Sequence, residues 1–530
     1  MYRPYDQSQQ YLLPPSLQDF VNEDHPAHVI NDLVDQMDLS VLEARYGKMG
    51  QPAYHPRLML KVILYGFTVG IFSSRKLQRA CQENLAFKFL AGMETPVFRT
   101  FIEFRQRHLE DMQGVFVQTA RLARELGLAR LGAVALDGSK VDANTSKHKA
   151  MSYGRMQEEE ATLKAEIEGL LETANAIDKQ EDFEYGPKVD GYSVSEELAR
   201  REQRLTNIKK AKAALEEREQ REHHGEPISP KKQVSFADHD ARCFAKSGDG
   251  TRYVYNAQAA VDMDSQIIVA NHIEDSVSDA HAAEPVLERM EQDLGVPEKL
   301  VADAGYGNKD TLESCQERGV TAVCATRREG KDGQEVGKLD RFSYEWDQDS
   351  FACSHGHVFV FAHEHPTDGT RTYKSVEPVT CTCGHYETVD GREVIRVEHS
   401  HLAKRELRRI MDEPGHSELY RRRKCTVEPV FGQIKAGMGF RRFYYRGRQN
   451  VRSEWNLVCA AFNLRKIAVL LRTTRGAAAL EKTATQEGPS LLLSKLRAFS
   501  FPIMTSGLMY LWQPLVRQVR LKTTSSVSHA

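Results

Sequence analysis

From Phe236 to Thr326 the apolar residues change period repeatedly, and this alternation restricts the fold more than any other feature of the chain. Arg252–Val261 and Gln266–Ile273 have the pattern of strands joined by the turn Asp262-Met263-Asp264-Ser265. Asp279–Leu294 follows as a helix, Lys299–Asp303 as a strand, Lys309–Arg318 as a helix and Val320–Thr326 as a strand. Strand, turn, strand and then strand–helix alternation predicts a mixed sheet with helices on its faces. Residues 132–142 add one more strand, and they embed Asp137 in an apolar context. A carboxylate buried there is costly unless something binds it.

Helical patterns flank this α/β region. Residues 1–130 predict an all-helical domain, with amphipathic runs at Leu17–Met37, Pro56–Gly70, Arg75–Leu90 and Thr100–Gly127, the last opened by a Thr100/Glu103 capping box. The turn Gly70-Ile71-Phe72-Ser73-Ser74 precedes a helix carrying Arg75, Lys76 and Arg79. It is compatible with a DNA-binding helix-turn-helix and equally with an ordinary helical hairpin bearing a solvated basic face. Residues 156–225 read as an antiparallel helical hairpin hinged at Asp182–Tyr192, whose charges are most simply solvated surface. Residues 330–400, rich in Cys, His, Gly and Thr, read as an irregular insertion. Helix resumes over 401–475, and 476–530 form a Ser/Thr-rich tail whose end is expected to be poorly ordered.

Composition narrows the setting. A chain of 530 residues with 41% hydrophobic residues predicts several folded domains rather than disorder. An odd count of nine cysteines and an N-terminus without a signal-peptide pattern point to a reducing cytoplasm. Leu58–Phe72 is interrupted by Lys61, and Ala498–Val516 by Pro502, Gly507 and Pro514, so neither predicts a membrane span. Cys353, His357, Cys381 and Cys383 could together hold a structural zinc, although their irregular spacing also suits a chance Cys/His-rich loop.

Three acids carry the chemistry. Asp137 lies within its strand, Asp303 ends another before Ala304-Gly305-Tyr306, and Glu428 lies in the run from Tyr420 to Lys435. Seven residues at 100° each place Lys435 about 20° round from Glu428, on the same helix face. Arg421 and Lys424 join that face if the helix continues upstream, whereas Pro429 favours a helix start near Glu428. Carboxylates without a matching His or Cys are hard ligands that select Mg²⁺ or Mn²⁺. Two such ions roughly 4 Å apart activate a nucleophile and stabilise the leaving oxygen in phosphoryl transfer. A net charge of −2 announces no polyanion binder, yet residues 401–450 hold 13 Lys and Arg against 5 acids. Within them Arg441, Arg442, Arg446 and Arg448 interleave with Phe440, Phe443, Tyr444 and Tyr445, a pattern suited to nucleic acid. Asp262 fits a turn role and Asp279 the N-cap of the following helix.

Asp137-Gly138, Val301-Ala302-Asp303-Ala304-Gly305-Tyr306 and the basic run into Glu428 and Lys435 resemble the catalytic blocks of DDE transposases of bacterial insertion sequences. His55-Pro56-Arg57 through Leu77, Tyr255–Asp262 and Asn463-Leu464-Arg465 resemble further blocks of that family, so the likeness spans about residues 1–475. It implies a ribonuclease H-like core over 131–475, interrupted by the hairpin and the Cys/His stretch and preceded by a helical DNA-binding domain. It also implies Asp137, Asp303 and Glu428 as ligands of two Mg²⁺ ions, and Lys435 on DNA phosphate. Strand transfer of a 3′-hydroxyl into target DNA, recognition of terminal inverted repeats, a homodimeric synaptic complex and a place at the bacterial nucleoid follow from the resemblance alone. In the family signature a Tyr precedes the Glu by seven positions and an Arg by four; here Arg421 and Lys424 stand there, with Tyr420 one position off. A nuclease without strand transfer is the runner-up, and a DNA-binding regulator derived from a transposase would not need the acids.

Overall fold

The computed structural model describes residues 16–471 apart from 48–51, 146–149, 186–193, 224–226, 247–249, 327–341, 366–369, 380–385 and 390. Ala498–Val516, Cys381 and Cys383 therefore lie outside the described residues. Among those described, no helix is long and apolar enough to cross a membrane.

The sheet expected from the alternating pattern is present. Strand β1 (Ala133–Asp142) lies at its centre, with β2 (Arg242–Lys246), β3 (Gly250–Asp262), β4 (Ile268–Glu274), β5 (Lys299–Ala302) and β6 (Thr321–Cys324) around it. β3 pairs antiparallel with β1 and is long enough to hold both β2 and β4 along its other edge. β5 runs parallel to β1, and β6 parallel to β5. From Tyr253 to Asp262 every residue of β3 is buried, because both faces of the sheet are covered. In chain order α9 (Ala283–Asp293) lies between β4 and β5, and α10 (Lys309–Glu317) between β5 and β6.

Among the described residues, the helices before them, besides the single turn Ser40–Glu43, are α1 (Pro26–Asp35), α2 (Pro56–Thr68), α3 (Ser74–Glu83), α4 (Leu85–Leu90), α5 (Phe98–Arg107), α6 (Met112–Glu125) and the hairpin pair α7 (Tyr153–Tyr185) and α8 (Val194–His223). Three expected helices are each split in two, the run Leu17–Met37 into a 3-10 turn (Leu17–Phe20) and α1. Asn84 ends α3 and caps α4 by accepting from the Ala86 and Phe87 amides, and the run from Thr100 breaks between His108 and Asp111. The Thr100 capping box does not form: the helix starts earlier, at Phe98, with Val97 as its cap residue and no side-chain cap bond. The hairpin has its own thin core of Met156, Leu163, Ile208, Ala211, Leu215 and Val234, flanked by pairs such as Arg201–Glu166 at 2.8 Å and Lys212–Glu160 at 2.9 Å.

Residues 342–398 correct the expectation of an irregular insertion. They form a six-stranded antiparallel sheet: β7 (Phe342–Glu345), β8 (Ser350–Cys353), β9 (Val358–Glu364), β10 (Thr370–Ser375), β11 (Glu387–Val389) and β12 (Arg392–Glu398). Its strands are short, and β7, β8, β9 and β10 each bring one buried aromatic side chain to its core, Phe342, Phe351, Phe359 and Tyr373, with Ile395 and Val397 from β12, too few per strand to set a period.

The chain then returns to the first sheet through α11 (His399–Asp412), α12 (His416–Lys424), α13 (Val427–Gly432), a π turn (Gln433–Gly437) and α14 (Arg448–Leu471). α14 is buried almost continuously from Val451 to Leu464 and packs on α6, α2 and β4. One hydrophobic core thus joins the N-terminal helices to the sheet.

Candidate active site

Register sets the two strand-borne acids. Leu136 pairs with Ala302 across the parallel β1–β5 ladder, so Asp137 and Asp303 follow at the same level on neighbouring strands. Each is held by a backbone donor: the Gly138 amide donates to Asp137 Oδ1 at 2.8 Å, and the Gly305 amide to Asp303 Oδ1 at 2.7 Å. Arg423 Nη1 donates to Asp137 Oδ2 at 3.2 Å, and its side chain is only 8% exposed. Burial nevertheless pushes the Asp137 carboxyl up to about 6, against the pull of Arg423 and the Gly138 amide, while the charges of Asp303 and Asp279 push the same way as burial.

Arg423 is the residue that sequence reasoning misses, and the break that follows it explains why. α12 ends at Lys424, Cys425 and Thr426 leave the helix, and α13 begins at Val427, with Pro429 in its first turn where a missing amide hydrogen costs nothing. Tyr420 and Arg423 keep the three-residue spacing of the signature, and Tyr420 lies near enough to feel both Arg423 and Asp303. The extra residue before Glu428 is absorbed in the break. Arg421 and Lys424 are exposed instead of facing the acids.

The shared face expected for Glu428 and Lys435 is also altered, because a π turn does not advance by 100° per residue. Glu428 is exposed. Lys435 is half-buried and donates to Ser139 Oγ at 2.6 Å and to the Lys140 carbonyl at 3.3 Å. Ser139 is two residues beyond Asp137 and therefore on the same face of β1. Burial pulls the Lys435 ammonium below its usual range. Among the described residues no three His, Cys, Asp or Glu side chains stand close enough to hold an ion together. Asp137 and Asp303 are hard oxygen donors that fit a divalent cation, and Glu428 stands apart from them.

Beyond the end of β1 the chain carries the basic, aromatic segment. The Phe443 amide donates to the Asp142 carbonyl at 2.8 Å, Arg446 Nε to the Asn144 carbonyl at 2.8 Å, and buried Glu454 accepts from the Tyr444 and Tyr445 amides at 3.0 and 3.1 Å. Arg441, Arg442 and Arg446 are exposed. Arg448 instead pairs with Asp275 at 2.5 Å. The turn between α2 and α3 packs directly on this segment: Phe72 lies 5.2 Å from the Phe440 ring and 5.7 Å from Tyr444. Gly70 has φ +81°, and a Cβ there would come within 2.9 Å of the Met438 carbonyl oxygen. Arg75, Lys76 and Arg79 remain on the outer face of α3, Arg75 over the Phe98 ring at 4.5 Å and Arg79 paired with Glu83 at 2.9 Å.

Two competing assignments are resolved differently. Asp262 has its turn role, with Oδ1 accepting from the Ser265 amide at 2.8 Å. Asp279 is not an N-cap: α9 starts at Ala283 after Ala282, and the Asp279 carboxylate turns back to the sheet. In the second sheet, Cys353 Sγ and His357 Nδ1 are 3.5 Å apart.

Residues 15–107 match a family model described as Transposase domain (DUF772), and residues 221–464 match one described as Transposase DDE domain. A search of curated proteins gives no match. Among solved structures, a piggyBac transposase synaptic complex with hairpin DNA aligns at 9% identity over 91% of this chain and 84% of that chain, with a TM-score of 0.28, too low to bear on the fold. The two family matches together take in more than half of the chain and cover both the helical domain and the acid-bearing sheet, and the chain belongs to the DDE transposases of insertion elements.

Proposed function

We propose that the sheet is a ribonuclease H-like core in which Asp137, Asp303 and Glu428 serve phosphodiester cleavage at the ends of an insertion element, followed by transfer of the freed 3′-hydroxyl into target DNA. The order β4–β3–β1–β5–β6, antiparallel across β4, β3 and β1 and parallel across β1, β5 and β6, supports that core. The observation that carries the reading is the emergence of Asp137 and Asp303 side by side from parallel strands, with Arg423 against the first and Lys435 on the same face of β1. Asp137 and Asp303 would hold Mg²⁺ or Mn²⁺, which when bound would activate the attacking oxygen and stabilise the leaving one, and Glu428, exposed and not grouped with them here, would have to approach to join the set.

The protein's own groups do the remaining work. The Gly138 and Gly305 amides fix one oxygen of each acid, and Arg423 takes the second oxygen of Asp137. Arg423 neutralises Asp137 when no other cation is present. Lys435 and the exposed Arg441, Arg442, Arg446, Arg421 and Lys424 offer cations to phosphates of double-stranded DNA, and Arg75, Lys76 and Arg79 extend that offer to the helical domain. Pairing of two element ends calls for a homodimeric synaptic complex.

The test is Asp303→Asn, which removes a charged ligand without touching the basic surface. Cleavage of a labelled element end in Mg²⁺ is expected to fall to background while end binding is retained. Undiminished nicking by the variant would refute the assignment.

A further inference from the structure

Asp279 takes no part in the reaction just described, yet it lies closer to the two strand-borne acids than their sequence separation suggests. Its Oδ1 accepts from Lys140 Nζ at 2.8 Å, from Asn256 Nδ2 at 2.9 Å and from Gln258 Nε2 at 2.8 Å. Asn256 also donates to the Ser276 and Ser278 carbonyls at 3.0 and 3.2 Å, which ties the Asp279 loop to β3. Gln258 Oε1 in turn accepts the hydroxyl of Tyr306, a fully buried side chain three residues beyond Asp303.

The strand bearing Asp137 comes against this network through a missing side chain. Gly138 pairs with Gln258, and a Cβ at Gly138 would fall 2.3 Å from Gln258 Nε2 and 2.5 Å from Asp279 Oδ1. The Asp303 loop approaches in the same way, since a Cβ at Gly305 would lie 3.7 Å from Asp279 Cβ. One carboxylate is thus linked to β1 through Lys140, to β3 through Asn256 and Gln258, and through Gln258 and Tyr306 to the turn after Asp303. Lys140 and Asp279 are 16% and 24% exposed, so their pairing is only partly screened by water.

We propose that Asp279 is a positioning residue that fixes the distance between the strand bearing Asp137 and the loop bearing Asp303 from the reverse face of the sheet. The proposal rests on the reading of those two acids as catalytic. Outer partners of metal-binding carboxylates typically affect ion affinity or activity by roughly ten- to a hundredfold.

Full-length Asp279→Asn and Tyr306→Phe are compared with Asp303→Asn and the parent protein. The readouts are cleavage against Mg²⁺ concentration, Mn²⁺ binding by calorimetry without DNA, end-binding affinity and thermal melting. Asp279→Asn is expected to raise the Mg²⁺ concentration for half-maximal cleavage and to weaken Mn²⁺ binding by about tenfold or more. End binding should stay within about twofold of the parent, and Tyr306→Phe, which removes one hydroxyl from the same chain of bonds, should shift the ion dependence in the same direction by less. Parent-like ion dependence in Asp279→Asn, or a loss that only follows a fall in melting temperature while Tyr306→Phe is unchanged, overturns the positioning role. Cleavage by Asp303→Asn would instead overturn the reading on which the proposal rests.

Discussion

Half of the candidate site is carried by the sheet and half by the segment from His416 to Arg448, and the two halves are built on different terms. Asp137 and Asp303 are set by ladder register and by one backbone amide each, so few rotations remain to them. Glu428 and Lys435 depend on the phase of a helix interrupted at Cys425-Thr426 and again by the π turn, and the first is exposed while the second is anchored on Ser139. The sheet half bears the cost of burying charge. The segment half keeps Arg421, Lys424, Glu428, Arg441, Arg442 and Arg446 in water while Val427, Val430, Ile434, Phe440 and Phe443 seat its backbone in the main core, which leaves a row of charges open to a large substrate on a fixed support.

The largest effect that would sharpen this contrast is on stability. Asp137 ordinarily titrates near 4, and burial raises it to about 6, so the folded state binds more protons than the unfolded state between those values. Stability from this group is therefore full below pH 4 and is lost as pH rises to about 6. Asp137→Asn, which mimics the protonated acid, is expected to abolish cleavage yet to stabilise the metal-free protein at pH 7 by up to about 3 kcal/mol. The gain should vanish near pH 4, while exposed Glu428→Gln should change stability little at either pH. Denaturant titrations in chelator at the two pH values decide it, and an Asp137→Asn protein less stable than the parent at pH 7 would break the comparison.

A smaller effect is expected where the segment half is pinned to α14. Glu454 is fully buried and accepts the Tyr444 and Tyr445 amides, and burial pushes its carboxyl up to about 7 against the pull of those amides and of Arg105. Glu454→Ala leaves two amides without an acceptor and should cost about 1–3 kcal/mol. Because the loss releases the strap that carries Arg446, DNA binding should weaken more than cleavage chemistry on DNA already bound. Unfolding curves and end-binding titrations on one preparation test both parts. Full stability with full affinity would show that the Phe72, Phe440 and Tyr444 contacts and the bonds from Phe443 and Arg446 hold the segment without Glu454.

Legibility in the sequence follows the same division. Strands β1, β3, β4, β5 and β6 are readable because buried strands carry dense apolar runs, and Asp137 and Asp303 stand out against them. Arg423 is not readable, since one arginine in the run Arg421-Arg422-Arg423 becomes buried only through a helix break that no local pattern fixes. Asp279 misleads because an acid just before a helix suits a cap, and only the folded sheet brings Lys140, Asn256 and Gln258 to it. The sheet of residues 342–398 escapes sequence reasoning because strands as short as three to seven residues give too few apolar repeats to establish a period.

The smallest effect separates arginines that look alike in the sequence. Arg441, Arg442 and Arg446 are exposed beyond the end of β1, whereas the Arg448 guanidinium is engaged by Asp275 at 2.5 Å and its amide by Asp240 at 2.8 Å. A cation already matched by a carboxylate releases little or no counterion when DNA arrives. Replacing Arg441, Arg442 or Arg446 by Gln should therefore lower the slope of log affinity against log salt by about 0.9 for each phosphate left without its cation. Arg448→Gln should leave the slope within error, even if it perturbs the start of α14. Binding of one duplex over a series of salt concentrations gives all four slopes. Equal changes at all four positions would mean that Arg448 leaves Asp275 for DNA, and that the segment half of the site rearranges further on binding than its free structure indicates.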